Sequence, residues 1–79
     1  MIETTWQGDI AVLRMSHGKA NALDVEFCDA LAVALDAVRE SEARAVIIVG
    51  TGSIFSAGVD LVRISNEGEG YMRRFLPAL

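Results

Sequence analysis

A short apolar run that ends in a glycine-bearing loop, Ala45–Leu61 (AVIIVGTGSIFSAGVDL), constrains the fold of this chain most. Its first five residues are too few and too β-branched for a helix, so they predict a buried parallel strand over Ala45–Val49. The run stops at Gly50, and the loop that follows carries two more glycines before ordered chain resumes at Asp60. A buried strand that delivers such a loop can present backbone N–H groups to a ligand.

Strand and helix periodicities divide the rest of the chain into consecutive elements. Residues 2–15 alternate around a Gly/Asp turn and predict a β-hairpin. The apolar spacing becomes helical over about Asp24–Ser41, and a short helical turn is predicted over about Asp60–Asn66. Glu67–Gly70 is predicted to break the chain before a last amphipathic segment that starts at Tyr71. The order β-β-α-β-loop-α indicates an α/β fold.

Three short polar residues are candidate helix N-caps. Asn21 or Asp24 would accept a hydrogen bond from an unpaired N–H group at the start of the long helix. Asp60 would do the same for the helix that follows the glycine loop. A cap at Asp60 would also fix the direction of the neighbouring backbone amides.

Composition and charge exclude several classes of function. The 79 residues fit one small domain, and a content of 52% hydrophobic residues with one proline indicates a globular chain. No apolar run approaches the ~18–20 residues of a membrane span, so no membrane partner is expected. The net charge of −4 argues against nucleic acid as a partner. The single cysteine, Cys28, offers no disulfide and no metal-ligand spacing, so we expect a cytoplasmic protein without a metal site.

The glycine spacing rules out three common loop motifs. A dinucleotide-binding fingerprint would need its third glycine at Phe55. A phosphate-binding loop needs four residues between its glycines and then a lysine, whereas five residues separate the last two glycines here. A nucleophile elbow centred on Ser56 would need glycine at Ile54. A Ser56–His17 catalytic pair also has no evident acidic residue to orient the imidazole.

The segment Ser56–Asp60 places small residues, and then the backbone N–H group of Val59, at the start of a helix. Helix N-termini carry unpaired N–H donors and partial positive charge, which suit an oxyanion or a polarised carbonyl. An ordinary strand-to-helix turn, in which Gly58 supplies an unusual φ angle, explains the same residues equally well. The residues alone leave both interpretations open.

Two separated blocks resemble the N-terminal part of the crotonase superfamily, which comprises the enoyl-CoA hydratases and isomerases. The blocks are Gly18–Asp24 (GKANALD) and Phe55–Leu61 (FSAGVDL), and the resemblance covers residues 2 to about 66. It implies a spiral of ββα units, of which this chain forms the N-terminal portion: hairpin, long helix, buried strand, oxyanion loop and short helices. Because family members are much longer, residues 1–79 are interpreted as the N-terminal part of a crotonase-like domain, apparently truncated.

The resemblance also implies which residues meet the substrate. In the family, the residue between Gly and Asp of the S-A-G-x-D block supplies one backbone amide of an oxyanion hole, and here that residue is Val59. Its amide would polarise the thioester carbonyl of an acyl-CoA and stabilise an enolate-like charge. The other residues expected to line the acyl-CoA are Lys19, Ala20, Asn21, Ala57, Gly58, Asp60 and Leu61. Coenzyme A enters as part of the substrate, so no separate cofactor is expected.

The family pattern extends beyond Leu79. Its second oxyanion-hole donor and its proton-transfer residues lie past that point, so the chain is expected to be inactive alone. When completed, it would act as an enoyl-CoA hydratase or isomerase and assemble as a trimer-type oligomer. The alternative is a non-catalytic remnant that serves as an interaction or oligomerisation module. The acyl group and the choice between hydration and isomerisation stay open.

Overall fold

The computed structural model describes all 79 residues, which form three strands and two helices. The elements are β1 (Ile2–Gln7), β2 (Ile10–Met15), α1 (Val25–Arg39), β3 (Ala45–Val49) and α2 (Leu61–Ala78). This order confirms the predicted hairpin, long helix, strand and α/β class. Neither helix combines the length and the apolar content that a membrane span requires.

The three strands form one sheet in the order β1-β2-β3. β1 and β2 pair antiparallel through a tight turn in which Gly8 has a φ of 63°. β3 lies parallel to β2, as the sequence predicted, and the register places Ile47 opposite Val12. Parallel neighbours need a crossover connection, and α1 supplies it. Loops at the carboxyl ends of β2 and β3 therefore leave the sheet at the same edge.

The buried side chains lie along α1 in two adjoining groups. Alternate residues of β2 are buried on the face that α1 covers, namely Ala11, Leu13 and Met15. Phe27, in the first turn of α1, is also fully buried. Between α1 and α2, Cys28 packs with Tyr71 and Phe75, whose rings stack with centroids 5.6 Å apart. Burial, followed by nearby carboxylates, raises the pKa of the Cys28 thiol, which suits an apolar core residue rather than a nucleophile.

β3 is not buried, and in this respect the sequence-based prediction is wrong. Val46 is 40% exposed and Ile47 is 47% exposed. β2 pairs with one edge of β3, and no strand among the 79 residues pairs with the other. An apolar, β-branched composition favours strand formation, but burial depends on what covers the strand. The run therefore predicted the element correctly and its environment incorrectly.

α2 is one helical element with a kink where the sequence predicted a break. Gly68 has φ 70° and ψ −150°, a combination that is essentially restricted to glycine, and the helix changes direction there. The N-terminus of α2 is capped as predicted, because the Arg63 N–H group donates to Asp60 Oδ1 at 3.0 Å. The cap fixes the junction between the glycine loop and α2.

Candidate functional site

Two loops meet beside the N-terminus of α2. Loop A (Ser16–Asp24) connects β2 to α1, and loop B (Gly50–Asp60) connects β3 to α2. The Ala57 N–H group donates to the Ala20 carbonyl at 2.9 Å, which is one of several bonds between the loops. Because both loops leave the same edge of the sheet, the fold itself brings together the two sequence blocks that carried the resemblance.

A short bridge between the loops leaves one amide without a partner. The Leu23 N–H group donates to the Gly58 carbonyl at 2.7 Å, and the Leu23 carbonyl accepts from the Asp60 N–H group at 2.8 Å. The Gly58 N–H group donates to Ser56 Oγ at 3.0 Å. Both neighbours of Val59 are thus bonded, whereas no group of the chain accepts from the Val59 N–H itself. A backbone donor that is held in place and free is available to a ligand.

Three residues of loop A have a left-handed backbone conformation. Gly18, Ala20 and Asn21 have φ values of 48°, 59° and 52°. This conformation costs a residue with a β-carbon about 1–2 kcal/mol, so the surroundings must hold Ala20 in place. In return, the carbonyls of Ala20 and Asn21 accept hydrogen bonds from loop B.

The Asn21 side chain ties the two loops together from behind the site. Its Oδ1 accepts from the His17 N–H group at 2.7 Å. Its Nδ2 donates to the Met15 carbonyl at 3.3 Å and to the Phe55 carbonyl at 3.1 Å. Asn21 is only 3% exposed, and Asp24 rather than Asn21 caps α1. The side chain therefore joins loop A to loop B and to the end of β2.

A cavity of about 530 Å³ opens between loop A, loop B and the start of α2. Most residues that the resemblance assigned to the ligand line this cavity, namely Lys19, Ala20, Ala57, Val59, Asp60 and Leu61. Two further predicted residues, Asn21 and Gly58, do not line this cavity. The wall also contains residues that sequence reasoning did not assign, namely His17, Gly18, Ala22, Asp24 and Val62.

His17 has a partner that the sequence did not reveal. Its Nε2 lies 2.7 Å from Asp24 Oδ2, and both residues line the cavity. The left-handed turns of loop A fold the chain back over this seven-residue separation, so the spacing alone could not have found the pair. A Ser56–His17 nucleophile pair does not form, because Ser56 Oγ donates to the Asn21 carbonyl at 2.8 Å.

Arg63 connects the start of α2 to the start of α1. Its guanidinium group donates to both carboxylate oxygens of Glu26 and to Glu67, and it lies 4.5 Å from the centroid of the Tyr71 ring. The hydrogen bond from Arg63 lowers the pKa of Glu26 from 4.5 to about 2. The hydrogen bonds to Glu26 and Glu67 in turn raise the pKa of Arg63. This network fixes the first turn of α2, and with it the end of loop B.

Comparison with known proteins identifies the family. The enoyl-CoA hydratase/isomerase family profile matches residues 5–75. The chain belongs to this family. It is similar to a probable enoyl-CoA hydratase from Mycobacterium tuberculosis H37Rv, with 38% identity and a TM-score of 0.77 over 87% of this chain and 29% of that chain.

Two further solved structures are similar to almost the whole chain. A Pseudomonas aeruginosa protein is 33% identical with a TM-score of 0.82, over 98% of this chain and 35% of that chain. An enoyl-CoA hydratase from Polaromonas sp. JS666 is 29% identical with a TM-score of 0.82, over 98% of this chain and 32% of that chain. Comparison with curated protein sequences gives no match. The chain thus spans about a third of the length of these proteins and corresponds to the N-terminal part of their fold.

Proposed function

We propose that this chain binds an acyl-CoA thioester and that the Val59 backbone amide donates a hydrogen bond to the thioester carbonyl oxygen. The observation that carries the proposal is that Val59 lines the cavity and that its backbone N–H group has no partner in the chain. Such a donor binds more tightly as negative charge develops on the oxygen, which favours an enolate-like state over the substrate. Loss of one such donor typically costs about 10²–10³ in rate.

The remaining predicted residues would shape the acyl-CoA site. Ala20, Ala57 and Leu61 contribute small or apolar side chains to the cavity wall. Lys19 contributes a positive charge that suits a phosphate of coenzyme A. Asp60 caps α2 and holds the end of loop B, so its role is to orient the Val59 amide. Coenzyme A is part of the substrate in this proposal, and no separate cofactor or metal is invoked. A cytoplasmic location agrees with the single free cysteine.

We expect these 79 residues to bind acyl-CoA without turning it over. One oxyanion-hole amide is half of the pair that the crotonase reaction uses, and the resemblance assigns proton transfer to residues outside these two loops. Hydration or isomerisation of an enoyl-CoA should therefore need the remainder of a crotonase domain, supplied on the same or on a second chain.

Nuclear magnetic resonance with matched ligands tests the proposal. The ¹⁵N-labelled chain is titrated with acetyl-CoA and separately with free coenzyme A, which lacks the thioester carbonyl. Acetyl-CoA should shift the Val59 amide resonance, whereas coenzyme A should shift other cavity residues such as Lys19 and leave Val59 near its starting position. V59A keeps the amide and should give the same response. If neither ligand moves residues of loop A or loop B, the proposed function is wrong.

A second candidate function, association with other chains, rests on the sheet face that α1 does not cover. The register places four apolar side chains on that face, from Ile10 and Val12 of β2 and from Ile47 and Val49 of β3. The outer edge of β3 is also unpaired, and an open strand edge favours pairing with another chain. The trimer-type assembly expected of a completed crotonase domain is a separate proposal.

A further inference from the structure

The cavity wall contains a second polar group with a defined hydrogen-bond partner, the imidazole of His17. Asp24 Oδ1 accepts from the Phe27 N–H group at 2.8 Å, and Asp24 Oδ2 lies 3.9 Å from Arg63 Nη1. The Asp24 carboxylate is thus an acceptor on both oxygens. His17 Nε2, 2.7 Å from Oδ2, is therefore the nitrogen that carries a proton, and in the neutral ring Nδ1 carries a lone pair.

His17 Nδ1 has no partner in the chain, and solvent reaches it. The imidazole makes one hydrogen bond, through Nε2 to Asp24. Every buried side-chain nitrogen or oxygen atom of the structure has a partner, so an unpartnered atom of the half-buried His17 is an accessible one. The ring borders the cavity of about 530 Å³ together with Val59, and it also borders a smaller cavity of about 170 Å³ beside Thr51.

The ring is held rigidly from several directions. Its centroid lies 4.8 Å from that of the Phe27 ring, its Nε2 is bonded to Asp24, and its backbone N–H group donates to Asn21 Oδ1. An acceptor that is already immobilised loses little entropy when a ligand binds. The cavity wall thus includes His17, whose neutral ring has its free acceptor at Nδ1, and Val59, whose backbone amide is unpaired.

We propose that His17 is a specificity-determining residue, whose Nδ1 accepts a hydrogen bond from an amide N–H group of the ligand while the Val59 amide binds the thioester carbonyl. The inference rests on the proposed function. It adds that the site selects ligands by the pantetheine arm to which the acyl group is attached. The pantetheine arm of an acyl-CoA has amide N–H groups close to the sulfur atom, whereas a simple alkyl thioester has none. The site should therefore distinguish thioesters by the arm as well as by the carbonyl.

Two probes with the same carbonyl separate this inference from the proposed function. Acetyl-CoA carries amide N–H groups, and S-ethyl thioacetate carries the thioester alone. His17 is the only histidine, so long-range ¹H–¹⁵N spectra report its two ring nitrogens without ambiguity. Acetyl-CoA should shift the Val59 amide and also move the His17 Nδ1 resonance upfield, as expected for a lone pair that accepts a hydrogen bond. S-ethyl thioacetate should shift the Val59 amide only.

The outcomes of this titration are distinguishable. If both probes shift Val59 and neither moves His17 Nδ1, the specificity role is overturned and the proposed function stands. If acetyl-CoA moves His17 Nδ1 and neither probe moves Val59, the His17 contact stands and the oxyanion role of Val59 is overturned. If neither resonance responds to either probe, both are overturned.

The variant H17F provides an independent test, because it keeps a ring against Phe27 and removes both nitrogens. A lost neutral hydrogen bond should weaken acetyl-CoA binding by about 2- to 10-fold. The affinity for S-ethyl thioacetate should stay unchanged. A purely structural role of His17 would weaken the binding of both probes equally, and that result would overturn the inference.

Discussion

Asn21 combines a left-handed backbone with a buried side chain that makes three hydrogen bonds. We expect N21A to lower the free energy of unfolding by about 2–4 kcal/mol, because the bonds are lost and alanine tolerates this φ angle poorly. N21G loses the same bonds but accepts the φ angle, so it should be more stable than N21A by about 1 kcal/mol. Urea denaturation of both variants measures the difference, and equal stabilities would contradict the role of the backbone angle.

The ion pair between Glu26 and Arg63 should make stability depend on pH in the acid range. The folded pKa of Glu26 is about 2, below its ordinary 4.5, so its contribution is present above 4.5 and is lost as the pH falls toward 2. Glu26 is half exposed, which limits the contribution to less than about 1 kcal/mol. E26Q should therefore be less stable than the parent chain at pH 6 and equally stable near pH 2, as followed by urea denaturation. Glu42, which makes no salt bridge, supplies the control E42Q, for which no such pH-dependent difference is expected.

Two glycines of α2 that lie two positions apart form a matched pair for testing the cause of the kink. Gly68 has a positive φ, whereas Gly70 does not, and an added β-carbon would meet no neighbouring atom at either position. G70A should therefore raise the free energy of unfolding by about 0.5–1 kcal/mol, as expected for alanine in place of glycine inside a helix. G68A should lower it by at least about 1 kcal/mol, or straighten the helix. Denaturation curves that move in the same direction for both variants would show that the kink is not imposed at Gly68.

The elements that depend on neighbouring residues could be predicted from the sequence. Contacts that depend on how the loops fold back on themselves could not. The hairpin, α1, and the caps at Asp24 and Asp60 follow from periodicity and from short polar side chains at helix starts. The His17–Asp24 pair depends on the left-handed turns of loop A, and the free Val59 amide depends on which neighbouring amides are already bonded. The exposure of β3 is a property of what surrounds the strand, which no local pattern contains.

The open face of the sheet should govern how whole chains associate. Ile47 is 47% exposed on that face, and Thr5 lies on the same face of β1, opposite Val12. A buried charge without a partner is costly, so I47K should shift sedimentation velocity profiles toward the monomer at concentrations where the parent chain associates. T5K adds the same charge at an already polar position and should sediment like the parent chain. Identical profiles for I47K and the parent chain would exclude this face as the contact surface.

The free amide between Gly58 and Asp60 has a consequence for how its role can be detected genetically. The proposed contact is made by a group that nineteen of the twenty genetically encoded amino acids share, because proline alone lacks a backbone N–H group. A side-chain scan would therefore pass over residue 59 and report strong effects at residues such as Asn21, whose side chain joins the two loops. An amide-to-ester replacement introduced by chemical ligation would delete the donor while keeping the isopropyl group, and so test the donor separately from the residues that position it.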